Sequence, residues 1–139
     1  MDPNAFFWQI QEGKLPQPEA ARTLGMTILQ VDAEAGTLKA EFEAKPEFTN
    51  PAGNIQGGFL SAMLDDTMGP ALACQLAAGE FAPTLNLNVQ FFAPAMPGKI
   101  RGIGRVARRG GGICFLSGEL SQGGKVVAVA TATAAIRKL

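Results

Sequence analysis

One segment limits the fold more than any other. From Gln56 to Ala78 the chain reads Gln-Gly-Gly-Phe-Leu-Ser-Ala-Met-Leu-Asp-Asp-Thr-Met-Gly-Pro-Ala-Leu-Ala-Cys-Gln-Leu-Ala-Ala. This is too long for a strand and predicts the one long helix of the chain. Phe59, Leu60, Ala62, Met63, Leu64, Met68, Ala71, Leu72, Ala73, Leu76 and Ala77 would point to every side of it. A helix apolar on every face is buried on every face, so something must surround it. Pro70 should kink it or begin a looser second half. Ala78-Gly79 fits its C-terminal end.

The flanking segments predict the cover. Gly25 to Asp32 alternates loosely and reads as a strand, with Ala35-Gly36 as the turn after it. Thr37 to Ala44 alternates cleanly: Leu38, Ala40, Phe42 and Ala44 inward, Thr37, Lys39, Glu41 and Glu43 outward. Lys45 to Ile55 is a loop rich in Pro, Asn and Gly. After the helix come four expected strands, Pro83 to Phe92, Lys99 to Arg109, Gly112 to Ser121 and Lys125 to Arg137. Pro94 to Gly98, Gly110-Gly111 and Gln122-Gly123-Gly124 link them, and short Gly-rich links mark hairpins. At the N-terminus, Asn4 to Gln11 reads as a short helix carrying Phe6, Phe7 and Trp8, broken by Leu15-Pro16-Gln17-Pro18. Pro18 to Ala21 suits a second helical turn. The expected order is therefore β-β-α-β-β-β-β, an α+β chain with one helix against a long antiparallel sheet. Six strands cannot cover a helix on all sides, and a second copy of the chain is the simplest remedy. A homo-oligomer is the expectation.

The 139 residues suit a single domain over 1–139. At 47% hydrophobic and 17% charged, the chain has material for a core and too little charge for disorder. No uncharged apolar run of roughly 18 residues occurs, so no membrane span is expected. Met1 to Lys14 starts acidic and lacks an apolar stretch, so no secretory signal is read and the expected location is the cytoplasm. Cys74 and Cys114 lie in apolar surroundings and read as buried reduced thiols. The sequence holds no histidine. This excludes a Ser-His-Asp triad, a Cys-His pair and a His-ligated metal, so neither metal nor other cofactor is expected. An enzyme with this sequence would most simply use a carboxylate as its base.

Charge is balanced overall but uneven along the chain. Met1 to Gly98 holds four basic and eleven acidic residues, and Lys99 to Leu139 holds eight basic residues against Glu119 alone. Either the basic half holds phosphates, or the halves interleave in one sheet and the charges mix. No aromatic residues interleave with the arginines, so nucleic acid is not an expected partner.

The chemistry concentrates in Asn50 to Asp66. Gln56-Gly57-Gly58 opens the helix, and glycines there let another group approach the free N–H groups. Those groups favour negative charge and would stabilise a carbonyl oxygen gaining it. The alternative is that the glycines only pack the loop against the sheet. Asp65 and Asp66 interrupt the apolar helix. A retained buried carboxylate suggests function, and an acid facing solvent does not. Asp65 follows Gly57 by eight residues, roughly 12 Å along a helix. A base and an oxyanion site must flank one reacting atom at about 3 Å each. One helix cannot do this. Two antiparallel copies can, if the start of one meets the middle of the other.

These residues resemble those of the phenylacetate-pathway (PaaI-like) hotdog thioesterases. That family's pattern is Asn, a short glycine-containing loop, His-Gly-Gly, six residues, then Asp or Glu. Asn50, Gly53, Gly57, Gly58 and Asp65 match at the same spacing. Thr84-Leu-Asn-Leu-Asn-Val-Gln-Phe-Phe-Ala-Pro-Ala is similar to the family's central strand, and the element order matches over nearly the whole chain. The resemblance implies a hotdog fold, a long sheet wrapped around a central helix. It implies hydrolysis of an aryl or medium- to long-chain acyl-CoA by a dimer or dimer of dimers. It assigns the acid that activates water or attacks the thioester to Asp65 and the N–H that polarises the carbonyl to Gly57. It places Asn50 on water or leaving group, and Thr84 as an assisting hydroxyl. The family's His is Gln56 here, which hydrogen-bonds but does not titrate. Asp66 lies off the catalytic spacing. Gly58 and, for the acyl pocket, Phe48 and Phe59 are candidate substrate contacts, the phenylalanines serving equally as core. Arg108 and Arg109, beside a Gly-rich turn, are candidates for the CoA phosphates or else a solvated hairpin tip. The other reading is a non-catalytic acyl-CoA binding or sensing protein, which Gln56 suits. A hotdog hydratase would need the missing histidine.

Overall fold

The computed structural model describes residues Met1–Leu139. Two short helices, α1 (Phe6–Gln11) and α2 (Glu19–Thr23), precede strands β1 (Met26–Asp32) and β2 (Thr37–Ala44). A 3-10 turn (Pro46–Phe48) leads into α3 (Gly57–Ala73). Then follow β3 (Glu80–Phe81), β4 (Thr84–Phe91), β5 (Gly98–Gly110), β6 (Ile113–Gln122), β7 (Lys125–Ala135) and β8 (Arg137–Lys138). Six strands form one antiparallel sheet in the order β1-β2-β5-β6-β7-β4, while β3 and β8 pair as a separate short ribbon. The sheet curls around α3, as the hotdog resemblance implies. No helix is long and apolar enough to cross a membrane.

Alternation places the core. Leu38, Ala40, Phe42 and Ala44 on β2 are all buried, as the period of two requires. Opposite them, α3 turns in Leu60, Met63, Leu64, Thr67, Met68, Ala71 and Leu72. The helix lies unusually close to β5 because Gly102 and Gly104 stand beneath it. A Cβ on Gly102 would sit 2.7 Å from the Thr67 hydroxyl, and one on Gly104 would collide with the Thr67 carbonyl. Overpacking of that kind costs about 1–3 kcal/mol. Thr67 itself is buried without penalty, since its hydroxyl donates to the Met63 carbonyl at 2.7 Å.

Three expectations need correction. The helix ends at Ala73, not Ala78. It continues through Pro70 for one more turn, because the ring's missing N–H and its clash act on the turn before it while the residues after it still bond; Cys74 N–H donates to the Pro70 carbonyl at 3.1 Å. The open C-terminal end is then closed by the N-terminal segment: the Trp8 indole donates to the Cys74 carbonyl at 3.0 Å, and Asp2 accepts from the Ala78 N–H at 2.7 Å. Second, α3 is not buried all round within the chain. Gly58, Ala62, Asp65, Asp66, Gly69 and Ala73 form a face left exposed or half-buried. Third, the last strand stops at Ala135 and resumes as β8, with β3 as its partner.

Both cysteines are free and buried, and burial pushes the Cys74 thiol up to about 11 and the Cys114 thiol upward as well. The acidic and basic halves do interleave: Glu41 on β2 meets Arg101 at 3.2 Å and Lys99 at 3.8 Å on the neighbouring β5.

Candidate active site

The loop before α3 is shaped by Asn50. Its side-chain oxygen accepts from the N–H groups of Ala52 (3.0 Å) and Asn54 (3.1 Å), and its own N–H donates to the Asn54 carbonyl at 2.8 Å. Such closure by an Asx side chain ties Asn50 to Asn54 in a tight turn. Gly53 takes the left-handed conformation this needs, with φ +84°. The loop is then tied to the body: Ile55 N–H donates to the Ala95 carbonyl (2.8 Å) and Gln56 N–H to the Phe48 carbonyl (2.9 Å). Asn50 Oδ1 is thus committed to the loop, and its Nδ2 remains a free donor.

Gln56 is the N-cap of α3, but its side chain makes no capping bond. Its carbonyl accepts from Phe59 (3.0 Å) and Leu60 (3.2 Å). The N–H groups of Gly57 and Gly58 make no hydrogen bond. They are two unspent donors at the positive end of a 17-residue helix. A Cβ on Gly58 would meet nothing closer than Gln56 Oε1 at 3.8 Å, so that side is open. Gly57 differs: the Cζ of Phe91 on β4 lies 3.0 Å from where its Cβ would be.

Asp65 lies on the uncovered face of α3. The Thr84 hydroxyl donates to its Oδ1 at 2.7 Å. The β4–β7 register slips between Thr84 and Asn86, and a bulge of this kind re-aims a side chain. Asp66 is more enclosed. Burial, and then the charge of Asp65, push its carboxyl up to about 6, and its Oδ2 has no hydrogen-bond partner. Sequence reasoning ranked Asp66 below Asp65 on spacing alone; burial of one oxygen of an adjacent acid has no signature in the sequence.

Phe48 is buried and stacks on Phe59, with ring centroids 4.2 Å apart and planes 9° off parallel. The Lys45 ammonium lies 5.6 Å above the Phe48 ring. Phe48 is therefore core, and Phe59 is half-buried beside the Gly57-Gly58 donors. Arg108 and Arg109 are elsewhere. Arg109 donates to the Gln75 carbonyl at 3.3 Å, and both arginines line an open surface hollow with Cys74, Gln75 and Val106. This is the far end of α3, ten residues or roughly 15 Å from Asp65. Within one chain the fold gathers Asn50, Gln56, Gly57, Gly58, Phe48 and Phe59 at the helix start, joins Thr84 to Asp65 at its middle, and leaves the arginines at its end. Phe91 was missed; only its place in the inward set of β4, after Leu87 and Val89, could have marked it. No cluster of three or more His, Cys, Asp or Glu side chains is present.

Comparison with known proteins agrees with the geometry. Residues 46–135 match the family model of the acyl-CoA thioesterase N-terminal domain. The crystal structure of a Ralstonia eutropha JMP134 phenylacetic acid degradation-related protein, assigned as a thioesterase, superposes with a TM-score of 0.92 at 46% identity, covering 94% of this chain and 98% of that one. The Escherichia coli PaaI protein of the phenylacetic acid degradation operon gives 0.81 at 20% identity over 96% and 93%, a likeness of fold. A thioesterase from Haemophilus influenzae gives 0.81 at 20% over 91% and 87%, again of fold. No curated protein matches the sequence. Matched over most of its length by a thioesterase family model and nearly half identical to a phenylacetate-type relative, the chain belongs to the PaaI-like acyl-CoA thioesterases, hotdog-fold hydrolases of thioesters.

Proposed function

We propose that two copies of this chain hydrolyse an acyl-CoA with an aryl or a medium- to long-chain acyl group, giving the free acid and CoA. The observation that carries this is a separation. Two unpartnered N–H groups and a hydroxyl-anchored carboxylate lie on one helix, eight residues apart, beside a face that the chain leaves uncovered. A second copy set antiparallel on that face brings Gly57 of one helix to Asp65 of the other. The thioester oxygen accepts from the Gly57 N–H. Asp65, with one oxygen held by Thr84, uses the other to take a proton from water as the water oxygen bonds to the carbonyl carbon. The tetrahedral oxyanion rests on the helix start, where charge developing in the transition state is stabilised. Its collapse breaks the C–S bond, and the proton held by Asp65 leaves with the thiolate. Direct attack by Asp65 followed by hydrolysis of the anhydride uses the same groups. Asn50 Nδ2 and the Gln56 amide supply donors to water or sulfur, and Gly58 the room to approach.

The uncovered helix face and the free edge of β4 support the dimer. Exposed Ile113 and Phe115, at one end of β6, favour dimers pairing further. Arg108 and Arg109 serve as cations for the CoA phosphates, a pantetheine arm's reach from Asp65. Buried reduced thiols suit the cytoplasm.

The test is release of free thiol from a panel of aryl and aliphatic acyl-CoAs. Wild type is expected to release thiol, and Asp65→Asn to lose on the order of 10²-fold or more while staying folded. Saturable binding of acyl-CoA with no thiol released would favour a binding or sensing protein. A dead Asp66→Asn beside an active Asp65→Asn would move the base to Asp66.

A further inference from the structure

Phe91 stands beside the glycine whose N–H the proposed mechanism gives to the reacting carbonyl. Its ring meets α3 tip first: Cζ, Cε1 and Cε2 lie 3.0, 3.3 and 3.4 Å from the position a Cβ would take on Gly57. That position is two bonds from the Gly57 nitrogen. A side chain at 57 would press on the tip of this ring, which would have to give by a few tenths of an ångström. The ring is not packed away by this contact. It remains 53% exposed, on the same strand whose first residue, Thr84, holds Asp65. β4 is an edge strand of the sheet, and the ring stands half exposed between that strand and the start of α3. Leu87 and Val89, the preceding residues of its face, are half-buried against the core and fix the strand under it.

We infer that Phe91 is a specificity-determining residue which, by occupying the space beside the Gly57 N–H, admits acyl groups with an unsubstituted α-carbon and excludes those branched there. The inference rests on the thioesterase reading above. A carbonyl oxygen bonded to the Gly57 N–H puts its carbon, and one bond further the α-carbon, next to that amide. A CH₂ at this point fits beside the ring edge, and an added methyl must displace it. Bulk further along the acyl group is not sensed by Phe91, so the selection is by branching and not by length or aromaticity. One methyl group is worth roughly 10–200-fold in kcat/KM where a pocket discriminates against it, and a half-exposed ring falls at the low end of that range.

The experiment compares acyl-CoAs that differ by one α-methyl group in two series: octanoyl against 2-methyloctanoyl, and phenylacetyl against 2-phenylpropionyl. The wild-type enzyme is expected to favour the unbranched member of whichever series it hydrolyses by at least about tenfold. Phe91→Ala should shrink that ratio by about tenfold, chiefly by raising kcat/KM for the branched member, and Phe91→Leu should shrink it less. Phe92→Ala, at the exposed neighbour, should leave the ratio alone. Sedimentation of each variant shows whether the assembly is kept, and Phe91→Leu carries the test if Phe91→Ala fails to fold. A wild-type ratio near one, or a ratio equal in wild type and Phe91→Leu and unchanged in a folded Phe91→Ala, overturns the inference while leaving the thioesterase intact. Absence of thiol release across the whole panel of aryl and aliphatic acyl-CoAs overturns the thioesterase reading, and the inference with it.

Discussion

The sheet ends in two edges of different character. At β1 the pairing slips between Ile28 and Gln30, the strand closes on the charged Asp32, and α2 packs alongside. The Gln17 amide donates to the Met26 carbonyl at 3.1 Å, taking up a backbone acceptor. Each of these is a known way to blunt an edge against pairing. At β4 the eight residues Thr84 to Phe91 carry no charge, and Leu85 and Phe91 are 52% and 53% exposed. Its one irregularity is at Thr84, where it serves Asp65 instead of closing the edge. An edge so free of charge is a template for another strand, and the same edge holds Thr84 and Phe91, whereas Arg108 and Arg109 lie on β5. In the proposed dimer, assembly and catalysis would draw on one region, while the β1 edge only ends the sheet.

A charge placed on each edge in turn is the strongest way to break this comparison. Leu85→Lys should dissociate the assembly at micromolar concentration and lower thiol release on the order of 10²-fold, because Gly57 and Asp65 of different copies no longer meet. Leu29→Lys, at an equally exposed leucine of β1, should change neither. Sedimentation and the thiol assay on both variants decide it; equal behaviour of the two would remove the distinction between edges. A smaller effect is expected inside the β4 region. Thr84→Val keeps shape but withdraws the hydrogen bond on Asp65, and should lower kcat about five- to tenfold, the worth of about 1 kcal/mol. An unchanged kcat would mean that the carboxylate is positioned by the helix alone.

How much of this was legible in the sequence follows the physics of each signal. The alternation of β2 is dictated by a period of two with one wet face, and all four inward residues are buried as read. The motif from Asn50 to Asp65 could be picked out by its spacing, and free donors at Gly57 and Gly58 follow from a helix start, but that Asn50 Oδ1 would close its own loop was not read. The end of α3 was not legible. Leu76 is buried like a helical residue, yet it belongs to the turns after Cys74, and apolar content does not distinguish them. Nor could the sequence place Arg108 and Arg109 at the opposite end of the helix from Gly57, since that depends on how β5 crosses α3. The contact of Phe91 with Gly57 joins residues 34 apart, and only the folded register supplies it.

Asp66 sharpens the comparison from the helix between the edges. Its folded carboxyl titrates near 6, above its ordinary value of 3.8, because burial and the neighbouring Asp65 disfavour the anion. The folded chain therefore holds this proton more tightly than the unfolded chain. The stabilisation is complete below about 3.8, falls as pH rises, and is lost once pH passes about 6. Asp66→Asn, uncharged at all pH values, should stabilise the protein above that range by on the order of 1 kcal/mol, after allowing for the water that still reaches the group. It should gain nothing near pH 3.8. Denaturant midpoints at pH 4 and 7.5 measure the difference; an equal gain at both would show that packing, and not ionisation, is responsible. Activity should survive the change, unlike that of Asp65→Asn.

The smallest effect is expected at Gln56, which the family's histidine usually occupies. If the position serves through hydrogen bonds, the amide suffices, and Gln56→His should alter kcat by only a few-fold. If it serves through charge, Gln56→His should raise kcat and add an ionisation near the unperturbed imidazole value of about 6.5. The geometry favours the first. Gln56 caps the start of a 17-residue helix whose Gly57 and Gly58 donors are unspent. That end is the positive pole of the helix, and it holds an imidazole neutral. The Gln56 side chain makes no capping bond of its own, so its amide is free for water or sulfur. Gln56→Ala should then fall below both, by the several-fold that one unmade hydrogen bond costs. The pH–rate profiles of the three proteins separate the cases. A new acid limb in Gln56→His would argue for charge. Coincident profiles for wild type and Gln56→Ala would take Gln56 out of the chemistry, and would leave Asn50 Nδ2 as the donor proposed to assist Asp65 from the loop.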